Sequence, residues 1–157
     1  MTIKLHIGAN ETPYPTGDKT TAEVAKILND KYGVFDQFAA DHAVEIGDMV
    51  GEAMLNAIFR MGTKHAVHAD TALRTVSGKI RTMLERDIVS KKFDRRLPGV
   101  PTAASLEGIV KYGRRKNTGG WRLVPGRPSF VESMLLLENL RVWFSDPGGL
   151  WGIKGEP

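Results

Sequence analysis

The chain contains no cysteine. That excludes a disulfide framework and any thiolate metal site, and it fits a reducing compartment. Histidine is scarce, with four residues in all, so imidazole chemistry is confined to His6, His42, His65 and His68. No run approaches the ~18 apolar residues of a membrane span. The opening "MTIKLHIGANETPYPTGDKT" also lacks the apolar core of a secretory leader. These absences predict a soluble protein made in the cytoplasm, with no membrane contact.

The recognisable catalytic frames are missing too. Glycine is plentiful at 17 residues, yet "NTGGWR" neither follows a strand nor precedes a Lys-Ser/Thr pair, as a phosphate loop would. No G-x-S-x-G elbow is present. Asp36, Asp41, Glu45, Asp48 and Glu52 recur at helical spacing, which suits a solvated face better than a calcium loop built around a glycine turn. His65 and His68 in "KHAVH", with Asp70 nearby, lack the further convergent donor that a metal site needs. The expectation is a protein that is not an enzyme, with no catalytic residue, cofactor or metal. An enzyme built on His65, His68 and Asp70 is a third alternative.

A length of 157 residues predicts one domain over 1–157. The alternation of Ile3, Leu5 and Ile7 against Thr2, Lys4 and His6 predicts an N-terminal strand. Thr20 and Glu23 form the T-x-x-E spacing of a capping box, opening a helix that Gly33 stops. Phe35, Phe38, His42, Ile46, Met49, Ala53 and Ala57 share one side of a single long helix from Val34 to Met61. His42 is expected there as a hydrogen-bonded core residue. Gly47 and Gly51 would each cost that helix about 1 kcal/mol, which close packing of another helix or a bend would explain. A third helix is predicted from Ala69 to Ser90, with Leu73, Val76, Ile80, Met83, Leu84 and Ile88 as its apolar stripe, so that the two long helices form a hairpin. Pro98 and Pro101 then break the chain. Thr102 caps a short helix using Leu106, Ile109 and Val110, and Ser129 with Glu132 makes a second capping box. "RVWF" is a closing strand that pairs with "IKLHI". Residues 146–157 are expected to be a flexible tail. The predicted class is α+β: a helical hairpin and short helices packed on a small sheet of N- and C-terminal strands, with an extended basic loop.

The charge is unevenly placed. Residues 1–90 carry ten Lys/Arg against twelve Asp/Glu, whereas 91–127 carry ten against two. A patch of this kind is an argument about partners rather than fold. Its cations are Lys91, Lys92, Arg95, Arg96, Lys111, Arg114, Arg115, Lys116, Arg122 and Arg127, with Tyr112 and Trp121 among them. Docking onto an acidic neighbour is the leading reading of this basic arm, and nucleic-acid binding is the alternative, because clustered cations with aromatic platforms also suit phosphates and bases.

"PGVPTAASLEGIVKYG" and "GRPSFVESMLLLENLRVWF" give a further lead. With Arg127, Pro128, Ser129 and Phe130 preceding a short apolar helix and a closing strand, this region resembles tail-completion and head–tail connector proteins of tailed bacteriophages. The specific match covers about residues 98–144. It departs from that pattern at Val131-Glu132-Ser133, where many relatives have Asp-Thr-Gly. The resemblance implies a structural virion protein of the neck or tail, made in the host cytoplasm. Its implied partners are further copies of itself in a ring, neighbouring neck or tail proteins, and DNA contacted non-specifically. A baseplate or other tail station is the alternative within the same class.

Overall fold

The computed structural model describes residues 3–14, 18–60, 68–94, 96–106, 129–130 and 134–146. Strand β1, Lys4–Ala9, pairs antiparallel with β2, Leu140–Ser145, in the register Leu5↔Phe144, Ile7↔Val142 and Ala9↔Leu140. The period of two puts those six side chains on one side of the sheet, where they join the core. On the other side His6 stacks on Trp143, with centroids 5.2 Å apart. Gly8 sits beside that indole, and a Cβ there would lie 3.3 Å from the ring. The expected pairing of the two terminal strands is therefore observed.

Helix α1, Thr21–Tyr32, begins at the anticipated capping box. The Glu23 amide donates to Thr20 Oγ1 at 3.3 Å, and the Thr20 amide donates to Glu23 Oε2 at 2.8 Å. Gly33 closes α1 with φ 66°, a left-handed conformation that costs glycine little. Because α2, Val34–Asp41, follows at once, its first-turn amides need partners, and Asn29 Oδ1 accepts from Phe35 and Asp36.

The long helix expected from Val34 to Met61 is instead two: α2 and α3, Ala43–Arg60. The break is His42, at φ −112° and ψ 13°. Its ring packs 4.8 Å from that of Phe38 and is held from across the fold by α4. Periodicity could not reveal this joint, since Val34, Phe35 and Phe38 before it and Ile46, Met54 and Ala57 after it all face one core. Gly47 and Gly51 have no neighbour within 4 Å of where a Cβ would stand. Close packing among the described residues therefore does not account for them.

Helix α4, Ala69–Val89, buries the whole expected stripe, packs against α3 as a hairpin, and carries β2 on another side. It ends in a Schellman-type turn: Lys91 takes φ 61°, its amide reaches Ile88 O, and the Lys92 amide reaches Asp87 O. The chain then folds back. Phe93, Leu97 and Val100 are buried in the main core, each contributing roughly 1.5–3 kcal/mol of apolar burial. The first part of the expected basic arm is thus packed on its own subunit. The apolar spacing of these three residues is irregular, which hid them.

Helix α5, Ala103–Leu106, is capped by Thr102, whose hydroxyl accepts from the Ser105 amide at 3.2 Å. Leu106 is exposed rather than buried as its stripe implied. Helix α6, Leu135–Asn139, has Met134 at its N-cap. Ser129 consequently does not cap it. Ser129 is buried, and its hydroxyl accepts from the Thr102 amide at 3.3 Å. Asp146, placed at the start of the expected tail, is buried, and 147–157 lie outside the described residues.

Candidate functional site

Three elements converge where α2 meets α3. The joint supplies Asp41 and His42, the last turn of α4 supplies Asp87, and the turn after it supplies Lys92 and Arg96. Asp87 is only 3 % exposed. A buried carboxylate survives only if it is paired and hydrogen-bonded. Here Oδ2 lies 2.8 Å from His42 Nε2 and 2.7 Å from Lys92 Nζ. The third side of the triangle is also short, because Lys92 Nζ is 2.8 Å from His42 Nε2. On the opposite edge of the ring, His42 Nδ1 is 3.0 Å from Glu45 Oε2.

These distances force a choice on the imidazole. With its proton on Nδ1, the neutral ring donates to Glu45 and accepts from the Lys92 ammonium at Nε2. With both nitrogens protonated, it donates to Glu45 and Asp87 together and has no lone pair for Lys92. Burial alone would raise the Asp87 carboxyl, yet the hydrogen bonds and charges of Lys92 and His42 outweigh it and hold the group below its ordinary value of 3.8. Beside this triangle Arg96 forks onto Asp41, with Nη1 2.6 Å and Nη2 3.0 Å from the two carboxylate oxygens. That fork lowers Asp41 and raises Arg96 from their usual values.

The cluster thus fastens the turn after α4 to the α2–α3 joint. Of the cations expected in a partner-binding arm, Lys92 and Arg96 hold their own subunit together, and Asp41, from the acidic row expected to be solvated, is taken up by Arg96. Lys91 lies in the same turn. Arg95, Lys111, Arg114, Arg115, Lys116, Arg122, Arg127 and Pro128 fall outside the described residues. Ser129 and Phe130 stand at the re-entry point: Phe130 takes φ 69° and its ring packs 5.3 Å from Tyr32.

Sequence reasoning placed His42 correctly as a bonded core residue but missed Asp87. The signal was present, since Asp87 follows Ile80, Met83 and Leu84 at helical spacing on the apolar stripe of α4. A carboxylate in such a row asks for a buried cation. Arg81, from α4, pairs with Glu85 at 2.7 Å, and its guanidinium reaches the Leu137 and Glu138 carbonyls at the end of α6.

The other chemical candidates do not converge. His68 precedes α4, Asp70 pairs with Arg74 at 2.9 Å, and His65 lies outside the described residues. Among the described residues no group of three or more His, Asp or Glu could hold a metal ion, and no helix is long and apolar enough to cross a membrane. A cleft of about 290 Å³ runs between α3 and α4, walled in part by Glu52, Arg60, Thr75 and Lys79. It does not open on the His42–Asp87 cluster. No protein-family model, curated protein or solved structure matches the chain.

Proposed function

We propose that the protein is a non-enzymatic structural component of a tailed-phage particle, a homo-oligomer that forms a ring at the head–tail junction or on the tail. The observation that carries this reading is how the chain is anchored on either side of the basic span. The chain departs through α5 and re-enters at Ser129, and the Thr102–Ser129 hydrogen bond joins the two ends. Between them, residues 107–128 carry Lys111, Arg114, Arg115, Lys116, Arg122 and Arg127 against Glu107 alone. A strongly cationic segment whose two flanks are tied together suits a contact with another molecule. Ring subunits need such a contact, heterologous and closing under rotation. The resemblance of residues 98–144 to connector and tail-completion proteins supports this choice of assembly, in which the partners would be further copies, neighbouring neck or tail proteins, and DNA passing through the ring. The protein would be made in the host cytoplasm and end in the virion.

Sedimentation and negative-stain microscopy of the full chain test this. Rings or higher oligomers are expected, and replacing Arg114, Arg115 and Lys116 by Glu should weaken both assembly and attachment to particles. A wild-type chain that stays monomeric, with a variant that attaches normally, would sink the proposal. If the span instead reads nucleic acid, binding will weaken steeply with salt, in proportion to the phosphates contacted. That result without any assembly would replace the structural reading.

A further inference from the structure

The side of α3 turned away from the core is unlike a solvated helix surface. Val44 is 79 % exposed, Leu55 55 %, Ile58 44 % and Phe59 77 %. At 100° per residue these four fall on one stripe, with Gly51 between them and Gly47 at its edge. An apolar stripe left open in this way marks an interaction surface. Among the described residues neither glycine has a neighbour within 4 Å of a would-be Cβ, so the middle of the stripe is a shallow depression in which another backbone can lie close. By the same angles Asp48 falls within the stripe, between Leu55 and Phe59, and Glu52 borders it; both are exposed. Among the described residues no cation pairs with either.

We propose that this face is the receptor for the 107–128 segment of a second copy of the chain. The inference rests on the homo-oligomeric reading above and names the surface that would make it work. Charge complementarity selects the occupant. The segment brings six cations against one acidic residue, and Trp121, Leu123 and Val124 alongside them can cover the stripe while the cations meet Asp48 and Glu52. Length agrees: Val44 to Phe59 spans about 22 Å of helix, which about seven extended residues cover. The opposite pairing, α3 against α3 of a second copy about Gly51, fits less well. An antiparallel arrangement would press Asp48 of one copy against the same face of the other and set the two Glu52 borders side by side, and like charges at a contact oppose it.

The test is a charge exchange in the full-length protein, read by sedimentation. One variant reverses the face (Asp48→Lys with Glu52→Lys), and the other reverses the segment (Arg114→Glu, Arg115→Glu and Lys116→Glu). Each alone should raise the concentration for half-assembly about tenfold. An equimolar mixture should restore the wild-type value, because each reversed segment then finds a reversed face and each native segment a native face. A third variant, Leu55→Ser with Phe59→Ser, should weaken assembly with its thermal melt unchanged. A face-reversed variant that assembles like wild type overturns the inference while leaving the oligomer intact. So does weakening by Leu55→Ser and Phe59→Ser without rescue in the mixture, which would point to helix-on-helix contact instead. A monomeric wild-type chain overturns the oligomeric reading itself.

Discussion

Replacing Asp87 by Ala puts the buried cluster to a quantitative test. The substitution removes the acceptor shared by His42 Nε2 and Lys92 Nζ, at 2.8 and 2.7 Å. Breaking a buried ion pair by deleting one partner costs about 3–5 kcal/mol when the remaining charge has no other recourse. Lys92 has some, since its side chain is about one-third exposed and its ammonium can regain water. The expected loss is therefore roughly 2–3 kcal/mol, towards the bottom of that range and below it. For a domain of this size each kcal/mol shifts the melting temperature by about 2–4 °C, which predicts a fall of about 4–12 °C. Urea unfolding at pH 7, followed by circular dichroism, supplies the free energy. Lys92→Ala and the double variant complete a cycle whose coupling should exceed about 0.5 kcal/mol, as for residues in one network. A loss below about 0.5 kcal/mol for Asp87→Ala, or strictly additive single effects, would show that the cluster does not hold the turn to the α2–α3 joint.

Other outcomes follow from the same coordinates. Gly47→Ala and Gly51→Ala should each stabilise the subunit by up to about 1 kcal/mol, because both lie inside an exposed helix with room for a methyl group; a rise in the urea midpoint checks this. Phe38→Ala empties a fully buried site beside His42 and should cost about 3–5 kcal/mol, visible as a large drop in melting temperature. Asp41 and Asp87 both titrate below 3.8 in the folded chain. Their stabilisation is thus complete above that pH and disappears as pH falls through the folded values. Unfolding free energies between pH 6 and pH 2 should show this decline, and it should be shallower in Asp87→Asn.

The sequence made the outline of the fold readable wherever one physical rule acted alone. The capping box at Thr20, the stop at Gly33, the stripe of α4 and the pairing of β1 with β2 each follow from local spacing or strand period. Legibility failed where a tertiary partner overrode the local pattern. His42 interrupts the run from Val34 to Arg60 because α4 and the turn beyond it hold its ring, and no window along the chain contains all of those residues. Lys92 and Arg96 were counted with an outward basic patch because charge has no periodicity to say which way it faces. Their partners, Asp87 and Asp41, come from α4 and from the end of α2. Ser129 carried the right spacing for a cap, yet its hydroxyl serves Thr102, 27 residues earlier. The exposed stripe on α3 was hidden for the converse reason: its apolar residues blended with the core-facing ones in a helix rich in both.

The sheet joins residues nearest the two ends of the described chain, Lys4 opposite Ser145. During synthesis β1 emerges before the other described elements, and its partner strand is the last of them. The α3–α4 hairpin needs only nearby residues and can form long before that, so sheet closure is the late, slow event of folding. A ribosome stalled after Val89 but short of Leu140 would release a product whose α3–α4 hairpin can pack, but whose first strand shows Leu5 and Ile7 to every other chain in solution.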